Sequence, residues 1–256
     1  MNMLRVAGAI VILAHIAAAF RAVPVVCRPG HVAPRASASS ISEKQGLRPV
    51  VLCPAQFGTA ADYDTLKADL RSRGFDLYPA PLRRFDWLRI VPATLTVDFL
   101  TASLKPAKTL GFFYEALDKA FAQVQADYGA DVKVAVLGHS IGGWVARSYL
   151  GEVLGAEEAS RRVCSLVTLG TPHNPPPKDS LVAALDQTRG LLTYINKEFP
   201  AGAPLPPSAV TCVAGKGTKA PESVGALLEV AQYSALTCCR RARLIRPTNQ
   251  LMTECV

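Results

Sequence analysis

From Pro49 onward, short apolar runs alternate with longer stretches in which apolar residues recur every three or four positions. The runs at 50–53, 75–78, 132–137, 163–169 and 209–214 have the length and composition of buried strands. The stretches 59–73, 110–128, 141–150 and 180–196 read as helices. In the second of these, Phe113, Leu117, Phe121 and Val124 fall on one apolar stripe. Pro54, Pro79 and Pro81 close the first two strands, and Gly74 stops the first helix. Strands alternating with helices predict an α/β fold, with a mostly parallel sheet and helices on both faces. Residues 82–108 interrupt the alternation with aromatic and apolar residues among Arg83, Arg84, Asp86 and Arg89, and they read as a lid-like insertion.

The chain of 256 residues is long enough for one such domain. Its first 47 residues stand apart. Arg5 leads into an apolar run, 6–20, interrupted by His15 and ending near Ala17-Ala18-Ala19. That run is shorter than the ~20 residues needed to span a bilayer and has the shape of a signal-peptide core. Residues 20–42 then carry Arg, Ser, Pro and Ala without an acid, as transit peptides do. Together they resemble the bipartite presequences of algae with complex plastids; the alternative is a secretory signal followed by a disordered linker. The expected organisation is a presequence at 1–47, a domain at 48–237 and a divergent tail at 238–256.

The net charge of +8 is concentrated at the ends, with four arginines in residues 1–42 and four more between Arg240 and Arg246. The middle is close to neutral, which argues against nucleic acid as a partner. Seven cysteines without paired spacing and four histidines give neither a disulfide framework nor a zinc site. Cys53, Cys164 and Cys212 fall in apolar runs and read as free, small hydrophobes. No metal or other cofactor is expected.

Gly138-His139-Ser140-Ile141-Gly142 lies between a predicted strand and a predicted helix. A serine thrust out of a sheet on a tight bend needs glycine two residues to either side, because strand and helix approach without room for Cβ atoms. The helix start then turns free N–H groups and its positive end toward an oxygen that gains charge. Ser140 is the candidate nucleophile. Ile141 supplies one candidate oxyanion donor, and the loop after the first strand offers Gln56 or Phe57 as the second.

The stretch V-A-V-L-G-H-S-I-G-G-W-V-A-R, followed by V-T-L-G-T-P-H-N-P-P-P, resembles lipase-type α/β-hydrolases related to GPI inositol-deacylases. R-R-F-D-W-L-R and D-Q-T-R-G-L-L-T-Y resemble a plant plastid branch of the same hydrolases. The resemblance spans roughly 48–237 and implies a serine ester hydrolase acting on a lipid or small ester. It leaves peripheral membrane contact and the oligomeric state open. The large deacylases cross the membrane several times, which this chain does not match.

A serine of this kind needs a histidine to take its proton and a carboxylate to orient that histidine, arriving in the order Ser, acid, His. After Ala214 the chain has no Asp and no His; the last of each are Asp186 and His173. Glu222 and Glu229 read as a solvated helix face, and the final strand of the fold is expected to be missing or degenerate. His173, in T-P-H, is expected to line the site or bond its loop, and His139 to play a structural part beside the serine. Trp87 is a candidate for an acyl groove or for cover over the sheet edge, and Trp144 reads as core. Two functions compete: an ester hydrolase, and an α/β-hydrolase that kept the elbow, lost the relay and binds without turnover.

Overall fold

A computed structural model describes residues 46–175, 188–200 and 203–213. The runs rich in buried Val and Leu become five strands: β1 Arg48–Cys53, β2 Phe75–Pro79, β3 Val134–His139, β4 Val163–Leu169 and β5 Val210–Val213. All four pairings are parallel and the order is β2-β1-β3-β4-β5. The chain therefore winds one way from β1 to β2 and the other way from β3 onward. The crevice at the carboxyl ends of β1 and β3, where the order reverses, is where ligands gather in open α/β sheets.

Two layers cover the sheet. On one face Val50, Leu52, Ala135 and Leu137 pack with Leu66 and Leu70 of α1, Asp64–Ser72. Val51, Cys53, Val134 and Val136 face the other way. They pack with α5, Gly111–Tyr128, and α6, Ile141–Tyr149, in the larger core. The stripe read from α5 is deeply buried: Phe113, Leu117 and Val124 are fully shielded.

Between β2 and α5 the insertion is built of a 3-10 turn at Arg84–Ile90 and three one-turn helices. These are α2 Val91–Thr94, α3 Val97–Leu100 and α4 Pro106–Thr109. It is anchored rather than loose. Trp87, Phe99 and Leu104 are buried in the core, and Arg189 donates from Nε and Nη2 to the carbonyl oxygen of Phe99 at 3.0 and 2.7 Å. Arg83 and Arg84 pair with Asp86 and Asp62.

The remaining helices are α7, Gly155–Arg162, reached from α6 through a π-helical turn at Leu150–Leu154, and α8, Leu191–Glu198. Apolar periodicity does not foretell α7, since only Ala159 on it is buried; its sequence signal is charge, with Glu158 paired to Arg161. The first expected helix is split into a 3-10 turn, Ala60–Tyr63, and α1. The third strand starts two residues later than expected and runs on to His139, because β1 and β4 pair with it as far as Gly138 and His139. Cys53 and Cys212 are not in disulfides, but Cys164 is disulfide-bonded and only half-buried, which corrects its reading as a free hydrophobe. The presequence, residues 180–187 of the expected fourth helix, and the tail from Ala214 lie outside the described residues. Among the described residues no helix is long and apolar enough to cross a membrane, and no group of three His, Cys, Asp or Glu could hold a metal ion.

Candidate active site

Ser140 is the bend between β3 and α6. Its φ of 54° and ψ of −124° are a conformation that L-residues rarely adopt, and its N–H still bonds Leu169 of β4 at 2.9 Å. The glycines around it answer to specific obstacles. A Cβ on Gly138 would fall within 3.0 Å of Gly142 and Gly143 backbone atoms, so strand and helix meet there backbone to backbone. A Cβ on Gly142 would strike the Cys53 and Pro54 carbonyl oxygens, and one on Gly143 would strike the Thr171 side chain. The first turn of α6 is thus seated on the end of β1 and against the loop after β4.

That seating brings the loop after β1 beside the elbow. The Gly58 N–H donates to Ala55 O at 2.9 Å, closing a tight turn in which Phe57 takes a left-handed φ of 59°. Ala55 donates its own N–H to the Tyr63 hydroxyl at 2.8 Å. Among the described residues the Gln56 and Phe57 N–H groups donate to no protein acceptor. Ile141 opens α6, so its N–H has no acceptor within the helix. Trp87 lies under this loop, with its ring centroid 5.0 Å from that of Phe57 and edge-on contacts to Phe112 and Phe113. It is 3 % exposed, so its part here is to support Phe57 from below. Trp144 is buried too, in agreement with its reading as core.

The two histidines of the region take different places. His139 is exposed, and its Nδ1 lies 2.9 Å from the Tyr63 hydroxyl. Desolvation lowers its pKa below the ordinary histidine value. His173 is enclosed on both sides: Arg147 Nη1 reaches Nδ1 at 3.2 Å, and Nε2 meets Thr168 Oγ1 at 3.0 Å and Cys212 Sγ at 3.6 Å. Arginine only donates, so Nδ1 accepts and the ring proton sits on Nε2. Arg147, 4 % exposed, also donates to Asn196 Oδ1 and to the carbonyl oxygen of Phe199, tying α6 to α8 and to the T-P-H loop. Among the described residues, neither histidine is hydrogen-bonded to the Ser140 hydroxyl.

Tyr63 and Arg147 escape a reading of the sequence for chemistry. Arg147 leaves one signal, a lone charge within an otherwise apolar helix; Tyr63 leaves none.

Residues 94–202 match the family described as the PGAP1-like alpha/beta domain. Over that span, the chain is similar to the PGAP1-like family. The matched segment runs from the insertion through the elbow to the end of α8. It takes in Ser140, the T-P-H loop and Arg147 but not the loop after β1. No curated protein sequence matches the chain. Solved structures to which the chain is similar include Bacillus licheniformis lipase BlEst2 in mature form. It is 13% identical with a TM-score of 0.42, over 75% of this chain and 77% of that one. Aspergillus fumigatus lipase B is 17% identical with a TM-score of 0.41, over 76% of this chain and 46% of its own. A soluble variant of monoglyceride lipase from Saccharomyces cerevisiae is 12% identical with a TM-score of 0.33, over 52% of this chain. The chain spans 39% of that lipase's length. Among the described residues the sheet is parallel throughout, with the bend at Ser140 directly after its middle strand, β3.

Proposed function

We propose that the chain is a serine ester hydrolase that accepts the acyl group of a lipid or small ester on Ser140. The observation that carries this is the backbone of Ser140, held in a costly bend at positive φ beside three N–H groups that no acceptor among the described residues uses. In the proposed step Ser140 Oγ adds to the ester carbonyl carbon while its proton leaves for a base. The oxygen that becomes negative takes hydrogen bonds from Ile141 and from Gln56 or Phe57. Collapse expels the alcohol with a proton and leaves an acyl-serine, which water then cleaves to regenerate the hydroxyl.

A fluorophosphonate probe tests this reading. Wild-type protein is expected to be labelled and Ser140→Ala not; folded wild type that stays unlabelled overturns it. A second reading, a binding module with the elbow but without turnover, is favoured by one fact: His173 is committed to Arg147 and Thr168. That reading expects no labelling, together with saturable binding of a fatty acyl ester.

The insertion supports contact with a lipid surface. Leu95 and Val97 are 85% and 71% exposed, while Phe99 beside them is buried. Replacing both exposed residues by serine is expected to reduce co-sedimentation with phosphatidylcholine vesicles; unchanged sedimentation removes the membrane contact from the proposal. Residues 1–47 are proposed as a plastid-directing presequence, with entry into the secretory route as the alternative. Fusing them to a fluorescent protein distinguishes the two.

A further inference from the structure

We propose that Tyr63 is a positioning residue whose hydroxyl clasps the loop after β1 to the elbow only while His139 is neutral. The proposal rests on the reading of that loop as an oxyanion donor. Tyr63 closes the turn before α1 and is 8% exposed. Its hydroxyl touches both halves of the site. It accepts the Ala55 N–H at 2.8 Å and lies 2.9 Å from His139 Nδ1, the residue before Ser140. The two rings meet edge to face, with centroids 5.8 Å apart. The loop also closes around the oxygen, since a Cβ on Gly58 would lie 3.2 Å from it.

Proton positions follow from these contacts. With His139 neutral, the phenol oxygen accepts from Ala55 and gives its own proton to Nδ1, so the imidazole proton sits on Nε2 toward solvent. Adding a proton to His139 places an N–H on Nδ1, opposite the phenol O–H. The phenol must then accept from His139 and turn its proton away into buried surroundings, or release Ala55. A buried hydroxyl without an acceptor is unfavourable, so protonation loosens the hold on Ala55 and on the Gln56 and Phe57 amides beyond it.

Among the described residues no other charge dictates this equilibrium. From β1 the nearby titratable group is Cys53, whose burial pushes its thiol well above the ordinary range. From the turn before α1 it is Asp62, which is committed to Thr59 and Arg84. From β4 the paired residue is Leu169, which is apolar. Partial desolvation of the ring lowers the His139 pKa, and a phenol proton given to Nδ1 favours the same neutral form, so the change falls below the ordinary histidine range.

The test is amide and imidazole NMR of the full chain across pH, with fluorophosphonate labelling alongside. In wild type the Ala55 amide and the His139 ring are expected to titrate together. In Tyr63→Phe, His139 loses the donor that favours its neutral form. Its titration then moves up toward the ordinary range, the Ala55 inflection disappears, and labelling slows by about tenfold. If Tyr63→Phe fails to fold, His139→Asn serves. It keeps an acceptor for the phenol but cannot titrate, so the Ala55 inflection should vanish while Ala55 stays protected from exchange. Independent titration of Ala55 and His139 in a wild type that is labelled overturns the clasp alone. Joint titration in a wild type that is never labelled overturns the hydrolase reading and leaves the clasp as a property of a binding loop.

Discussion

His139 ends β3 toward the α1 layer, and His173 follows β4 toward the α6 and α8 layer. The first is exposed and, among the described residues, is hydrogen-bonded to one group, a tyrosine hydroxyl that can either donate or accept. The second has both nitrogens engaged, one by a buried arginine that can only donate. Identical side chains at adjoining strand ends therefore have different freedom. A proton on His139 rearranges one hydroxyl, whereas any change at His173 must also rearrange Arg147, Asn196 and the end of α8. What a histidine can contribute at this edge is set by the donors and acceptors around it, more than by its distance from a serine.

Removing the seam on which both sides rest should have the largest effect. Gly142→Ala drives a methyl group into the Cys53 and Pro54 carbonyl oxygens, which are backbone and cannot swing aside. We expect a loss of about 3 kcal/mol or more in denaturant unfolding, or no folded protein. Arg147→Met should break the His173 side alone, leaving His173 Nδ1, Asn196 Oδ1 and the Phe199 carbonyl without their donor. The expected cost is roughly 2–4 kcal/mol by the same measurement. A value near zero would show that α8 and the T-P-H loop are held by packing instead.

The smallest effect sharpens the comparison at the His139 side. Its pKa is lowered in the folded chain, so the unfolded chain binds more protons as pH falls through the ordinary histidine range. Stability should therefore fall as the pH drops below that range and recover above it. In Tyr63→Phe the folded pKa lies nearer the unfolded one, and the slope in this window should flatten. A slope that persists unchanged in Tyr63→Phe would assign the lowered pKa to desolvation of the ring and not to the phenol, and one that persists in His139→Asn would assign the slope to another group.

Much of the fold was legible along the chain because it depends on neighbours in sequence. The strands and α5 are periodic patterns, and the place of Ser140 between a strand and a helix follows from the glycines flanking it. The helix α7 was not legible, because it buries a single residue and is marked by charge pairs rather than by apolar spacing. Trp87 shows the same boundary within the site. Its hydrophobicity could be read, but whether it would line a groove or support a loop depended on Phe57, Phe112 and Phe113, which lie far from it along the chain.

By itself, then, the sequence determined the layers of the molecule, the bend at Ser140 and the absence of Asp and His after Ala214, all of them local or countable properties. Only the tertiary structure decided which polar groups meet. Tyr63 reaches His139 across 76 positions and Arg147 reaches Phe199 across 52. Hydrogen bonds between side chains so far apart in sequence leave no periodicity to read; they form because parallel pairing brings the ends of β1, β3 and β4 to one edge.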